Sequence, residues 1–247
     1  KFTVSSSNFD IEQYALKDTL TQKDIANEAD PFDARVDSNT VLNTQMDIAN
    51  EFVVATSLTS TAVLTQNTTL TGTAQFSDYT NSVPADVFET GRRLIESTTG
   101  ETVNTIILRS EVLRALKRNS QLLGTFGFRE NRAGRLTNAE FLEALDFPAD
   151  TRILIADAYY NSTKEGQSGM NITRIWGNDI ILAYIAPSPG LRQMSLGYQF
   201  YPNNFPNRVT VTENITEPIG AEQIMTAEEF DLVVVNTNCG YLIKDAI

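Results

Sequence analysis

Three carboxylates, Asp157, Glu165 and Asp179, are the residues of this 247-residue chain whose type and setting most invite a chemical reading. Brought together, such groups hold calcium or move protons. Their spacing specifies neither role, and carboxylates beside turns are ordinarily solvated surface groups. The rest of the catalytic inventory is thin. The chain contains no histidine, which removes the commonest general base, the Ser-His and Cys-His dyads and imidazole metal ligands. One cysteine, Cys239, rules out an internal disulfide framework and a multi-cysteine metal site. Two glycine pairs, Gly124-Thr125-Phe126-Gly127 and Gly166-Gln167-Ser168-Gly169, miss the spacing of phosphate-binding fingerprints and read as loops. Asn-x-Ser/Thr sequons begin at Asn67, Asn161, Asn171 and Asn214, about the number chance yields in a chain this rich in Asn, Ser and Thr. They carry no weight for secretion.

Binding chemistry is better represented. Residues 109–135 hold one basic cluster: Arg109, Arg114, Lys117, Arg118, Arg129, Arg132 and Arg135, against Glu111 and Glu130. Arginine suits interfacial ion pairs and phosphate, so the cluster is either a solvated face or a contact between subunits. Its last three members, Arg129, Arg132 and Arg135, are the candidate assembly interface. The chain as a whole is acidic, with net charge −12. That argues against a dedicated nucleic-acid binder. The charge is also uneven. Residues 1–51 carry 10 acids against 4 bases, residues 213–247 carry 7 against 1, and residues 52–212 hold 14 of each. Acidic ends around a neutral centre predict that the two termini share one domain.

The elements that position these residues follow from periodicity. Apolar content of 41% and charged content of 20% are those of a globular protein with one large core or two modest ones. Apolar runs such as Ile180 to Ala186 fall far short of the ~20 residues of a membrane span, and no signal-peptide pattern is present. The start at Lys1 predicts that the gene encodes further residues upstream. Phe2 to Val4 reads as a strand end, and Asp10 to Leu16 and Gln22 to Ala29 as short helical pieces. The strongest helical signal runs from Asp37 to about Leu58, with Asp37 or Ser38 as N-cap. Its apolar stripe is Val41, Leu42, Met46, Ile48, Ala49, Phe52, Val53 and Ala55. With Phe52 buried mid-stripe, Phe52→Asp is expected to abolish folding. The Thr-rich stretch from Thr56 to Thr73 reads as loop and strand.

A helix from Ser82-Val83-Pro84 to about Ser97 presents Val87, Phe88, Gly91, Leu94 and Ile95 inward, and Gly100 closes it. A strand (Val103 to Leu108), a helix (Ser110 to Arg118) and a second helix (Thr137 to Leu145) follow, the last with the capping box Thr137-Asn138-Ala139-Glu140. Thr151 to Ala156 and Ile175 to Ile185 are further apolar strands, the latter broken at Gly177-Asn178-Asp179. Beyond Pro187-Ser188-Pro189-Gly190 the pattern is β: Leu196 to Phe200, Arg208 to Thr212, Phe230 to Val235 and Tyr241 to Ile243. The order predicts an α+β protein with one domain inserted in another.

Three stretches also carry a likeness. Tyr14-Ala15-Leu16-Lys17 and Ile25-Ala26-Asn27-Glu28-Ala29-Asp30-Pro31-Phe32-Asp33 lead directly into the long helix. Phe76-Ser77-Asp78-Tyr79-Thr80-Asn81-Ser82 precedes the next helix, Asn104 to Leu108 and Val112 to Leu116. Trp176-Gly177-Asn178-Asp179 with Ile180 to Ile185 is followed at the end by Phe230 to Val235 and Gly240-Tyr241-Leu242-Ile243-Lys244. In order and spacing, over essentially the whole chain, these resemble the major capsid protein family of tailed bacteriophages, whose fold is called Hong Kong 97-like. The family's amino-terminal arm and first extended-loop strand are missing from this sequence. The Lys–Asn cross-link of some members finds no matching pair.

The resemblance implies a long spine helix, a peripheral domain and an inserted axial domain. Residues 1–75 would form an extended-loop remnant, the spine helix and the first part of the peripheral domain. Residues 76–200 would form the mixed α/β axial domain, and residues 201–247 the return strands of the peripheral domain. It further implies a non-enzymatic protein without catalytic, cofactor or metal residues. Copies would build hexamers and pentamers of an icosahedral shell in the host cytoplasm, ending in the virion. The shell would enclose double-stranded DNA without sequence-specific binding and would meet portal and cement or decoration proteins but no membrane. Two other classes remain open, the first of them built on the same fold. One is the shell of an encapsulin-like nanocompartment, marked by a cargo-binding pocket. The other is a carbohydrate-binding module, marked by clustered exposed aromatics, where Trp176 is the only tryptophan.

Overall fold

The computed structural model describes residues 10–27, 33–125, 136–164, 166–190, 193–204, 208–215 and 220–247. In chain order its elements are β1 (Glu12–Thr21), α1 (Gln22–Ala26), α2 (Ala34–Leu58), β2 (Asn67–Thr69), α3 (Pro84–Thr99), β3 (Thr105–Leu108), α4 (Ser110–Leu116), α5 (Ser120–Thr125) and α6 (Asn138–Ala144), then β4 (Arg152–Ile155), β5 (Tyr159–Asn161), β6 (Ile172–Arg174), β7 (Ile180–Ala183), β8 (Gly197–Phe200), β9 (Val209–Ile215), β10 (Ala221–Val234) and β11 (Gly240–Lys244). They divide into two compact units: Lys1–Glu51 with Gln199–Val233, and Phe52–Tyr198 with Val234–Ile247.

In the first unit β10 is the backbone of the sheet. It pairs antiparallel with β1 from Glu12↔Phe230 to Thr21↔Ala221, and with β9 from Val209↔Ala227 to Ile215↔Ala221. Asp10 to Leu16, predicted as helix, is therefore corrected: it runs into strand β1. Ten consecutive residues find backbone partners on β10, and Tyr14 rests on Phe230 with ring centroids 5.1 Å apart. Directly opposed residues share a face. Tyr14, Leu16, Asp18 and Leu20 thus lie with Glu228, Thr226, Ile224 and Glu222, and Gln13, Ala15, Lys17 and Thr19 lie on the other side with Glu229, Ala227, Met225 and Gln223.

Helix α2 starts three residues earlier than expected. Its first turn is capped by Asp33, whose carboxylate accepts the backbone N–H groups of Arg35 (3.0 Å) and Val36 (3.4 Å). Asp37 and Ser38 lie inside the helix, and Ser38 donates to Asp18 at 2.7 Å. The buried stripe is narrower than the sequence implies. Ser38, Leu42 and Met46 are buried along one line of the helix. Val41, Phe52 and Val53 are 54%, 44% and 37% exposed. The expectation that Phe52→Asp abolishes folding is corrected accordingly: an aspartate there stays in reach of water. The Phe52 ring packs edge-on against Tyr160, centroids 5.4 Å apart.

The second unit is built on a sheet of order β2-β11-β7-β3-β4, with β2–β11 and β3–β4 parallel and the central pairs antiparallel. Both faces of its middle strands are covered, which explains their unbroken apolar sequences. Ile106, Leu108, Ile180, Leu182, Tyr241 and Ile243 join Phe76, Phe88, Ile95, Leu116 and Phe141 in one core. Ile181, Ala183 and Leu242 face Ala55, Leu58, Leu64, Trp176, Leu196 and Cys239 in the other. Helix α3 has Pro84 at its first turn and ends at Gly100, whose φ of 76° lets its N–H close on the Glu96 carbonyl at 2.8 Å. The capping box of α6 forms as expected: the Thr137 hydroxyl accepts the Glu140 N–H and the Glu140 carboxylate accepts the Thr137 N–H. A small separate pair, β5–β6, carries the loop with Gly166 and Gly169 at φ of 80° and 111°.

Candidate assembly surface

The three carboxylates singled out above build no reaction centre among the described residues. Asp157 accepts the N–H of Ser110 at 3.0 Å and so ties the start of α4. Asp179 accepts the N–H of Asp245 at 3.0 Å, and its burial pushes its carboxyl above the ordinary value. Glu165 lies outside the described residues. No cluster of three His, Cys, Asp or Glu placed to hold a metal occurs among the described residues.

The basic cluster separates into residues with different roles. Arg109 is 5% exposed and holds Asn178 (2.5 Å) and Glu111 (2.6 Å). Glu111 is held a second time by Arg174 at 2.5 Å, and that guanidinium sits 5.7 Å over the Tyr159 ring. Arg109 is thus internal glue, a role hidden in the sequence because Asn178 is 69 residues away. Lys117 donates to Asn138, and burial pulls its amine below the ordinary value. Arg114 and Arg118 remain. Arg114, on α4, and Arg118, in the turn just after it, are exposed and form no ion pair among the described residues. Together with Ser77, Tyr79, Glu111, Ala115 and Ile247 they line an open groove. Arg129, Arg132 and Arg135 lie outside the described residues.

The first unit carries the opposite charge. It holds 16 Asp and Glu against 5 Lys and Arg, whereas the second unit holds 15 against 14. Two of its five cations are engaged by carboxylates of the same unit. Arg35 grips Glu222 at 2.5 and 2.6 Å, which holds that carboxyl below its ordinary value. Arg208 bridges Asp47 (2.7 Å) and the buried Glu228 (3.0 Å), which also accepts from Asn50 at 3.0 Å. The opposite sheet face carries Glu213, Glu229 and, by alternation, Asp231, with Lys17 as counter-charge. Between them lie exposed Val211 and Met225.

The second unit also exposes apolar side chains that sequence reasoning missed. Strand β4 ends its sheet, and Leu154 and Ile155 are 46% and 49% exposed. Tyr159, Met170 and Ile172, in and beside the β5–β6 pair, are exposed as well. A run such as Arg152–Ile155 reads as buried until the strand order shows it at an edge. Trp176 is buried at 8% exposure, so it offers no stacking platform.

No family model and no curated protein matches this chain. Solved structures do. A phage-related protein from Bordetella bronchiseptica RB50 is similar at a TM-score of 0.74 and 22% identity, over 96% of this chain and 76% of that one. The capsid of cyanophage P-SCSP1u gives 0.57 and 10%, over 98% and 77%. The SrpI encapsulin of Synechococcus elongatus PCC 7942, solved as a holo complex, gives 0.51 and 12%, over 95% and 73%. The mixed helix-and-sheet fold is that of tailed-phage capsid proteins, as the resemblance in the sequence implies.

Proposed function

We propose that this chain is a shell subunit, the major capsid protein of a tailed phage, which self-assembles into an icosahedral container for double-stranded DNA. One observation carries the reading: a phage capsid structure matches 98% of the chain. The absence of histidine and the separate engagement of Asp157 and Asp179 with backbone N–H groups fit a non-enzymatic protein.

On this reading the fold is of the Hong Kong 97-like kind. Helix α2 is the spine, residues 76–200 form the axial domain around capsomer axes, and residues 1–75 and 201–247 form the extended-loop remnant and the peripheral domain. Arg129, Arg132 and Arg135, which follow α5 in the chain, form an assembly interface. Copies assemble in the host cytoplasm as hexamers and pentamers and reside in the virion, alongside portal and decoration proteins.

The likeness to an encapsulin supports a second reading, a nanocompartment shell enclosing protein. Electron microscopy of the purified chain tests both. Closed icosahedral shells are the expected result, and a stable monomer or dimer as the only species overturns both readings. Nuclease-protected DNA inside particles from the natural source favours the phage, and enclosed protein favours the nanocompartment.

A further inference from the structure

Resting on the shell reading, we propose that the groove beside α4 receives the acidic sheet face of a second copy, with Arg114 and Arg118 meeting Glu213, Glu229 and Asp231. The groove is cationic by construction. Its one side-chain carboxylate, Glu111, is already held by Arg109 and Arg174, which leaves Arg114 and Arg118 without a side-chain ion pair among the described residues. Tyr79, 41% exposed, supplies an apolar wall, and the small Ala115 lets a partner approach the helix.

Charge complementarity selects the occupant. The first unit carries 11 more acids than bases, and its arginines Arg35 and Arg208 are occupied on the face opposite Glu213, Glu229 and Asp231. Two such units meeting like to like would oppose carboxylate to carboxylate, which disfavours that pairing. A head-to-tail contact joins the acidic face of one copy to the cationic groove of the next, and contacts of that kind close into rings where the rotation between copies closes, and run on as filaments where it does not. Phosphate also suits arginine. The second unit, however, has 15 acids to 14 bases and lacks the basic surplus that nucleic-acid binding draws on.

Two charge-reversed chains test the pairing by sedimentation velocity: R114E/R118E, and E213K/E229K/D231K. All five side chains are exposed or half-buried, and circular dichroism verifies the fold of each variant. Each variant alone sets like charges against each other at every contact, so each is expected to lose association. An equimolar mixture restores opposite charges at both kinds of contact and is expected to recover the large assemblies. Normal association of either variant alone overturns the proposal. So does a mixture that stays dissociated while R114E/R118E loses DNA retention, which assigns the groove to phosphate. If the wild-type chain forms open oligomers and no closed shells, the shell reading fails while the mixing result still decides this pairing. A wild-type chain that stays monomeric overturns both.

Discussion

Gly91 shows how one residue can reverse an ordinary expectation. Replacing a mid-helix glycine by alanine normally gains about 1 kcal/mol. Here an added Cβ would lie 2.6 Å from the Tyr241 ring and 2.8 Å from Leu182. The ring cannot retreat easily, since Tyr241 is 1% exposed and its hydroxyl is bonded to Thr68. Overpacking of that kind costs about 1–3 kcal/mol. Gly91→Ala is therefore expected to lower the urea midpoint with an unchanged slope, and a raised midpoint would show that the contact yields. Asp179 offers a test by pH. Burial raises its carboxyl above the ordinary 3.8, so the native state binds that proton more tightly than the unfolded chain does. Ionised Asp179 thus lowers stability above its folded-state value, and the loss is relieved as pH falls toward 3.8. Asp179→Asn keeps an oxygen for the Asp245 N–H and should melt higher than wild type at neutral pH, with the gap closing in acid. A gap independent of pH would locate the effect elsewhere.

At the scale of elements, the Arg208 bridge holds β9 and β10 of the first unit to α2. Its partner Glu228 has a side chain only 5% exposed, so Arg208→Ala leaves a buried carboxylate with Asn50 for company. The expected loss is about 2–4 kcal/mol in thermal or urea unfolding. The double change R208M/E228M should lose less than half of that, because the uncompensated charge goes with its partner. Equal losses would mean that the arginine acts through packing alone. The clamp also illustrates what the sequence reveals. Elements whose signals are local are legible: Pro84 and Gly100 mark the ends of α3, and Thr137 with Glu140 starts α6. Elements decided by distant partners are not. The sequence around Tyr14 suits a helix until β10, some 200 residues on, offers ten backbone partners. The width of the α2 stripe is likewise unreadable, since Val41, Phe52 and Val53 are apolar residues that the fold leaves exposed. Arg109 looks like any other member of the basic cluster, and only the approach of Asn178 and Glu111 makes it internal.

For the whole molecule, the uneven charge in the sequence foreshadows its division. The two acidic ends predicted to share a domain contribute residues 1–51 to the first unit together with 199–233, while the last 14 residues return to the sheet of the second. What is legible at this scale is the fold: the order of elements along the chain carries the likeness to capsid proteins, and no single site does. The same architecture sets a clock on every newly made chain. Among the described residues no strand covers the outer side of β4, and Leu154 and Ile155 stand half exposed beside it. An open apolar edge of this kind pairs with whatever strand it meets first. On the proposed shell reading, a subunit still waiting for neighbours is therefore in a race between orderly incorporation and sticking to its own kind, and the outcome depends on how fast copies are produced. Ile155→Lys, which guards the edge with a charge, is expected to raise the recoverable yield of unassembled subunits under fast expression without lowering their melting temperature. Unchanged losses to the pellet would acquit the edge. Slow synthesis should bring the same relief to the wild-type chain.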